Sequence, residues 1–228
     1  MAFVKASNQE ETNQQLLFID KTAVNERKSY LFAKRMMDLL GAIVGFILLL
    51  PVFIIVAICI KLEDPKGPVF FKQIRVGKDG KHFYMYKFRS MVVDAEERLN
   101  DLLKYNEVSG AMFKMKEDPR VTRIGKLIRK TSIDELPQLW NVLKGEMSLV
   151  GPRPPLPREV AQYTEYDKQR LLVTPGCTGL WQVSGRNDLG FAEMVELDLK
   201  YIRERSLLYD IKIIFKTIKI MIKPNSAY

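Results

Sequence analysis

Two adjacent carboxylates followed by a proline are the residues best suited to carry chemistry. Asp134 and Glu135 stand just before Pro137. Because proline is tolerated in a helix only in the first turn, this pattern predicts a helix that starts close to Asp134. Asp134 would be its N-cap and Glu135 would lie in its first turn, where free N–H groups and the helix dipole keep carboxylates ionised and attract phosphate. The alternative is that both acids only cap the helix.

Basic residues flank this pair in the sequence. Arg129 and Lys130 come just before it, and Arg153 follows it inside the segment GPRPP, residues 151–155. The prolines stiffen the loop around Arg153, whose guanidinium matches phosphate oxygens. Carboxylates that attack phosphorus or hold a divalent cation, with arginines that stabilise developing charge, are what phosphoryl transfer requires. The alternative for Arg153 is a surface residue in a structural turn.

The composition excludes several other kinds of site. The 228 residues include one histidine and two cysteines, too few for a multi-histidine metal site, a zinc site or a disulfide framework. His82 has no obvious nucleophile near it for a catalytic triad. The chain contains neither GxxxxGK[ST] nor GxGxxG, so the sequence predicts no P-loop or Rossmann nucleotide site. Any metal chemistry must therefore use carboxylates.

An apolar segment, Leu39 to Ile60, contains no charged residue. As a straight helix it would measure about 33 Å, enough to cross a hydrocarbon core of roughly 30 Å. Pro51 predicts a kink near its middle. Lysines and arginines stand on both sides of the segment, so a spanning helix would place one basic flank outside, against the positive-inside tendency. A re-entrant helix that bends at Pro51 avoids this, and charge and proline alone leave the two topologies equally open.

The C-terminal segment, residues 206–223, combines basic and apolar residues at helical spacing. Its lysines are Lys212, Lys216, Lys219 and Lys223, and the apolar residues predicted on the opposite face are Leu208, Ile211, Phe215, Ile218 and Ile222. This pattern is typical of an interfacial helix beside anionic lipid, the alternative being a surface helix packed on the protein's own core.

The net charge of +9, from 36 Lys+Arg and 27 Asp+Glu, favours an anionic partner. The segment GKDG, residues 77–80, matches the GXXG loop of RNA-binding KH modules, but a hairpin turn explains it fully. The two membrane features already account for the excess of positive charge. We therefore expect membrane lipid, and no nucleic acid, as a partner.

The rest of the chain predicts an α+β fold that is mostly α-helical. Residues 69–91 carry a β-hairpin signal, and helices are predicted over about 92–106, 121–130, 157–172 and 190–205. Strands and helices do not alternate in a long series, which argues against a doubly wound sheet. We expect a polar N-terminal arm (1–33), a membrane helix kinked at Pro51 (34–62) and a small globular domain (63–228) that ends in the interfacial helix.

Three motifs in fixed order resemble a known family. These are YKFRSM (86–91), the segment from DPRV to GPRP (118–154) and PGCTGLWQVSGR (175–186). Together they closely resemble the bacterial sugar transferases, the monotopic phosphoglycosyl transferases, over about residues 34–223. The resemblance implies a re-entrant membrane helix and a catalytic domain on the cytoplasmic face of the inner membrane. It also implies transfer of a sugar-1-phosphate from a UDP-sugar to polyprenyl (undecaprenyl) phosphate, with release of UMP.

The same resemblance implies roles for individual residues. Asp134 is the expected nucleophile, forming a phosphosugar-aspartyl intermediate, and Glu135 together with Asp134 is expected to hold Mg²⁺. The expected substrate-binding residues are Lys87, Arg89, Arg129 and Arg153, with Arg186 on the nucleotide side. In a variant of this mechanism both substrates bind together and Asp134 only positions the metal or accepts a proton.

The resemblance further implies the first membrane step of exopolysaccharide or capsule synthesis, with the glycosyltransferases that act on the product as further partners. The rival hypothesis from a different class is a non-catalytic scaffold on the membrane surface that binds anionic lipid. Such a scaffold would show no turnover and no response to Mg²⁺. The sequence specifies neither the sugar nor the oligomeric state.

Overall fold

A computed structural model describes residues 18–105, 115, 117–185 and 189–222. The helices are α1 Lys21–Glu26, α2 Lys28–Glu63, α3 Leu99–Leu102, α4 Arg123–Lys130, α5 Gln138–Lys144, α6 Pro157–Val160, α7 Glu165–Lys168, α8 Phe191–Glu204 and α9 Leu207–Ile222. The strands are β1 Phe70–Val76, β2 His82–Phe88, β3 Ser148–Val150 and β4 Gly176–Thr178. Single 3₁₀ turns occupy Lys78–Gly80, Leu103–Tyr105, Ile133–Glu135, Gln169–Leu172 and Trp181–Val183. The prediction of a mostly helical α+β fold is confirmed.

The predicted hairpin is present. β1 and β2 are antiparallel, with Phe70 opposite Phe88 and Val76 opposite His82. The turn between them is closed by a hydrogen bond from the Gly77 N–H to the Lys81 carbonyl, 2.8 Å. Segment 77–80 therefore has a complete structural explanation as a hairpin turn.

The longest helix, α2, contains the apolar segment and continues through Pro51. Among the described residues it is the one helix long and apolar enough to cross a membrane. Side chains in its middle are largely exposed, including Ile47 at 68% and Leu48 at 72%. Of the arm predicted for residues 1–33, the described part, from residue 18, forms α1 and the first residues of α2.

The N-terminal part of α2 is fixed to α9 by a buried carboxylate. Asp210 is fully buried, and its Oδ2 accepts hydrogen bonds from Lys34 Nζ at 3.1 Å and the Tyr30 hydroxyl at 3.2 Å. Its Oδ1 accepts a third from the hydroxyl of Tyr201 in α8, at 2.7 Å. Buried charges are tolerated when they are paired and hydrogen-bonded in this way. The base of the apolar helix is thus attached to the C-terminal helices.

Two further residues of α2 bind the middle of the chain. Asp38 Oδ1 accepts the Leu149 N–H of β3 at 3.0 Å. Arg35 donates to the carbonyls of Val142 and Leu143 at 2.6 and 2.8 Å, at the C-terminal end of α5. The helix dipole is negative at this end, where the Val142 carbonyl also accepts the Gly145 N–H at 3.0 Å, so a cation is well suited to bind there.

The C-terminal end of α2 contacts the same globular body. Glu63 accepts the first N–H groups of α4, from Arg123 at 2.8 Å and Ile124 at 3.2 Å, and so caps that helix with a charge suited to its dipole. Asp64, the next residue, forms an ion pair with Arg89. Both ends of α2 are therefore held by one body. Between them Ala42 and Val56 pack on that body, while the other side of the apolar segment remains exposed.

Helix α9 differs in one respect from its predicted pattern. Leu208 and Phe215 each precede a lysine, Lys212 and Lys219, by four residues, a spacing that places them in adjacent rows rather than on opposite faces. The prediction of opposite faces is therefore wrong. Leu208 is 64% exposed and Phe215 is 68% exposed, whereas Ile213 on the far side is buried in the core. The exposed apolar row is not packed on the described part of the protein.

Two predicted helices are shorter than expected, whereas the helix predicted over 190–205 is confirmed by α8. In 157–172 the chain turns between α6 and α7, because Thr164 caps a new helix by accepting the Asp167 N–H at 3.2 Å. In 92–106 only α3 and a 3₁₀ turn form among the described residues. The backbone before them is bound to Arg120, which accepts the Val92 N–H and donates to the Ala95 carbonyl.

The loop after β3 crosses the segment of β4 at very close range. Gly151 donates to the Thr178 carbonyl at 2.9 Å, and Gly176 donates to the Pro152 carbonyl at 2.8 Å. A Cβ atom on Gly176 would overlap the backbone nitrogen of Gly151. A Cβ atom on Gly151 would lie 2.6 Å from the Thr174 carbonyl oxygen. Both positions require glycine because of this approach.

The Asp210 network predicts a large loss of stability on its disruption. In Asp210→Asn the buried ammonium of Lys34 loses its nearest carboxylate, which should cost about 3 kcal/mol and lower the Tm by roughly 6 to 12 °C. Thermal unfolding in detergent measures the shift. The matched control is Glu165→Gln, which removes the exposed pair with Lys168 and should change stability by less than about 0.5 kcal/mol. Equal Tm values for the two variants would contradict this account.

Candidate active site

The two carboxylates lie in a 3₁₀ turn, Ile133–Glu135, between α4 and α5. Helix α5 starts later than predicted, at Gln138, and its N-cap is Pro137. The prediction that Asp134 is the N-cap is therefore wrong, since Ser132 takes that position, whereas Glu135 does lie in a first turn, that of a 3₁₀ helix. The reason is Ser132, whose left-handed conformation (φ 56°) ends the preceding segment and starts a separate turn. Strained conformations of this kind concentrate at functional sites.

Asp134 is a buried carboxylate with an altered acidity. Only 8% of the residue is exposed, and burial raises the pKa of Asp134 to about 6. The positive charge of Lys87 opposes this shift, the negative charge of Glu135 adds to it, and Arg129 opposes it. Burial thus outweighs the nearby positive charges and N–H groups in setting the pKa of this carboxyl. At neutral pH Asp134 is still mostly ionised, and it is more basic than an exposed aspartate.

Lys87 and Arg129 are the predicted basic residues that the structure brings to this turn. Lys87, near the end of β2, binds Glu135 with Nζ 2.6 Å from Oε1. Arg129 lies in the last turn of α4, close enough for its charge to lower the pKa of Asp134. The carboxylates are thus met by cations from two different elements.

Asn141 fixes the relation between these elements, and sequence reasoning missed it. The residue is fully buried in α5, its Oδ1 accepts the Tyr86 N–H at 3.0 Å, and its Nδ2 donates to the Tyr84 carbonyl at 2.7 Å. Because Tyr86 directly precedes Lys87, this contact sets the position of the Lys87 side chain relative to Glu135. The signal available in the sequence was a single amide inside the apolar run LWNVL.

Other predicted site residues lie elsewhere. Arg89 is buried, forms an ion pair with Asp64 and donates from Nε to the Pro68 carbonyl at 2.6 Å. Arg153 is partly exposed, in the loop after β3, with its Nη1 3.9 Å from Glu159 Oε1. Arg186 lies outside the described residues. The structure thus brings Lys87 and Arg129 to the carboxylates and places Arg89 in a separate contact.

A further buried cation, Arg75 of β1, stands close to the site. Burial lowers its pKa to about 9, the charge of Arg153 contributes to the lowering, and Glu159 and then Glu135 oppose it. Arg75 therefore lies within electrostatic range of both the carboxylate turn and the loop of Arg153. In the sequence, Arg75 is only one of the basic residues that follow the apolar segment.

The carboxylates fit one kind of metal site. Among the described residues no group of three or more His, Cys, Asp or Glu side chains is placed to hold an ion. Mg²⁺ is commonly held by one or two carboxylates, with water and substrate phosphates as the other ligands. Asp134 and Glu135 supply that number of carboxylates, so they fit an ion that arrives with a phosphorylated substrate.

Comparison with known proteins gives the family. Residues 29–224 match the family described as bacterial sugar transferase. The chain is 52% identical over 200 residues to galactosyl transferase CpsE of Streptococcus agalactiae, with 87% of this chain and 44% of that protein covered. It is 44% identical over 206 residues to undecaprenyl-phosphate galactose phosphotransferase of Salmonella typhimurium, with 89% and 43% covered.

A shorter relative is similar over most of its own length. The chain is 41% identical over 200 residues to exopolysaccharide production protein ExoY of Rhizobium meliloti, with 86% of this chain and 88% of that protein covered. The chain spans less than half of the Streptococcus and Salmonella proteins. The resemblance carried by the three motifs is confirmed: the chain belongs to the bacterial sugar transferase family.

Proposed function

We propose that this chain transfers a sugar-1-phosphate from a UDP-sugar to polyprenyl phosphate and releases UMP. The observation that carries the proposal is the buried carboxylate of Asp134, whose pKa is raised and which lies beside the Lys87–Glu135 pair, in a chain of this family. The relative named as an undecaprenyl-phosphate galactose phosphotransferase supports the acceptor. The relatives named for exopolysaccharide production and as galactosyl transferase CpsE support a first membrane step in surface glycan synthesis, followed by other glycosyltransferases.

The proposed reaction has two steps. A carboxylate oxygen of Asp134 attacks the β-phosphorus of the donor, the bond from that phosphorus to the bridging oxygen breaks, and UMP leaves with the bond's electrons. A phosphate oxygen of the polyprenyl phosphate then attacks the same phosphorus, which releases Asp134 and gives a polyprenyl-diphosphate sugar. Burial supports this role because a more basic carboxylate is a better nucleophile. In the direct alternative, the lipid phosphate displaces UMP while both substrates are bound.

The cations near Asp134 would bind the phosphates of the donor. Lys87, Arg129 and Arg153 are the proposed ligands, and Arg186 is proposed for the nucleotide side. For Arg89 the same role requires its ion pair with Asp64 to open. Guanidinium groups suit this task because they stay charged and bind two phosphate oxygens at once.

Glu135 and Asp134 are the residues proposed to hold Mg²⁺. When bound, the ion would neutralise the diphosphate and make UMP a better leaving group. Glu135 is partly exposed and bound by Lys87, so the ammonium of Lys87 would remain near the phosphates as a second source of positive charge.

The proposed topology is a re-entrant α2 at the cytoplasmic membrane face, with residues 34–62 in the membrane and 63–228 as the catalytic domain. Contacts at both ends of α2 with one globular body support it, since a helix that crosses the bilayer separates its ends. The exposed apolar row of α9 and its lysines suit the same membrane surface. A cytoplasmic site would meet both the soluble donor and the phosphate group of the lipid.

Asp134→Asn should lose at least about 1000-fold in turnover, because an amide cannot serve as the nucleophile. UMP release by detergent-solubilised protein, with a panel of UDP-sugars, Mg²⁺ and polyprenyl phosphate, measures the loss. Without the lipid, wild type should release one UMP per active site, and the variant should release none. Asp79→Asn, in the exposed hairpin turn, is the matched control and should behave as wild type.

The outcomes of this experiment separate the hypotheses. Release of UMP only when lipid is present would contradict the covalent route and favour direct displacement. Turnover of Asp134→Asn within tenfold of wild type would exclude Asp134 as nucleophile. No UMP from wild type with any donor would favour the scaffold that binds anionic lipid.

Metal removal should abolish the reaction. With EDTA in excess, UMP release should fall to background, and added Mg²⁺ should restore it because the diphosphate again has a counter-ion. A thermal unfolding curve in EDTA serves as the control, and we expect the Tm to stay within a few degrees. Full activity in EDTA would contradict the metal assignment to Glu135 and Asp134.

The re-entrant topology can be tested by cysteine labelling. In chains with Cys59 and Cys177 replaced by serine, Glu26→Cys and Lys66→Cys place one thiol before and one after the apolar segment. A membrane-impermeant maleimide should leave both thiols unlabelled in spheroplasts and label both in inverted vesicles. The control Lys168→Cys should show the same pattern. Labelling of Glu26→Cys alone from outside would demonstrate a spanning helix.

A further inference from the structure

Arg75 is a buried arginine whose nearest partners are neutral. Only 5% of the residue is exposed, Nη1 donates to the Pro154 carbonyl at 3.0 Å and Nη2 donates to Gln73 Oε1 at 2.8 Å. Its Nε is buried and has no hydrogen-bond partner among the described residues. Burial of a guanidinium under these conditions costs free energy. A guanidinium that is buried at this cost beside the proposed active site therefore suggests a functional role.

The end of β1 holds the loop that carries Arg153. The carbonyls of Pro154 and Pro155, the two residues that follow Arg153, accept hydrogen bonds from Arg75 and from the Val76 N–H, the latter at 2.9 Å. On its other side the loop is fixed by the close crossing of Gly151 and Gly176. Arg153 is therefore held between two anchors, and Arg75 supplies one of them.

The same hairpin also reaches the carboxylate turn. In its register Arg75 lies opposite Phe83 and Lys87 lies opposite Phe71. Alternate residues of a strand share a face, so Arg75 and Lys87 project from one face of the hairpin. Lys87 binds Glu135 and Arg75 binds Pro154. This hairpin face thus sets the separation between the Asp134–Glu135 turn and the loop of Arg153.

We propose that Arg75 is a positioning residue that acts through the Pro154 carbonyl to place Arg153 for the diphosphate of the donor. The inference rests on the proposed function, because it assumes that the donor's phosphates lie between Asp134 and Arg153. Arg75 touches no reacting atom in this account. Lysine at position 75 could keep a single bond to Pro154 but not the second bond to Gln73, so it should restore the function in part.

The experiment compares Arg75→Met, Arg153→Met and the double variant, with UMP release measured at varied UDP-sugar and at varied polyprenyl phosphate. Arg75→Met should lower kcat/KM for the donor about 10- to 100-fold and leave the KM of the lipid unchanged. The double variant should match Arg153→Met within about threefold, because residues that act through one another are not additive. Arg75→Lys should lie between Arg75→Met and wild type.

Lys72→Met, on the other face of β1, is the matched control and should keep wild-type kinetics. Effects that multiply in the double variant, or a wild-type kcat/KM in Arg75→Met, would overturn the inference. If Arg75→Met does not fold, the same double-mutant cycle is run with Arg75→Lys. Losses in kcat/KM that multiply in Arg75→Lys/Arg153→Met would equally overturn the inference. Wild type without turnover would instead sink the proposed function, so the two failures are distinguishable.

Discussion

A carboxylate with no exposure to solvent, that of Asp210, joins three helices through hydrogen bonds from Lys34, Tyr30 and Tyr201. Lys34 and Tyr30 belong to the base of the long apolar helix, so the direction in which that helix leaves the body depends on this contact. Glu63 performs the corresponding task at the other end by capping α4. Polar groups therefore hold the helix at its two ends. One apolar face, with Ala42, Val56 and Ile60, packs on the body, and the other face remains available to lipid.

The proposed active site is likewise built from few elements. The α4–α5 connection supplies the carboxylates, and the hairpin supplies Lys87 and Arg75. Asn141 locks hairpin to helix by binding the backbone of β2. Because Asn141, Arg75 and Asp134 are buried, these side chains keep fixed positions without the rotamer entropy that exposed long side chains retain. A preorganised set of charges of this kind is what stabilisation of a phosphoryl transition state requires.

The sequence was sufficient for features that depend on local pattern. The turn segment GKDG, residues 77–80, between two stretches rich in β-branched and aromatic residues predicts the hairpin. The uncharged segment predicts the apolar helix. The adjacent acids Asp134 and Glu135 pointed to a candidate site, but its conformation did not follow, since the left-handed Ser132 has no signature in the sequence. The roles of Asn141 and Arg75 were missed because they depend on contacts between residues 55 and 79 positions apart. The burial that raises the pKa of Asp134 likewise arises only from tertiary packing.

The crossing of Gly151 and Gly176 bears on how this architecture can be varied. A single methyl group at either position overlaps backbone atoms rather than a side chain that could move aside. The loop of Arg153 can therefore keep its short distance from β4 only while both positions are glycine. A mutant library intended to change donor choice should keep these two codons invariant and place its diversity in side chains elsewhere.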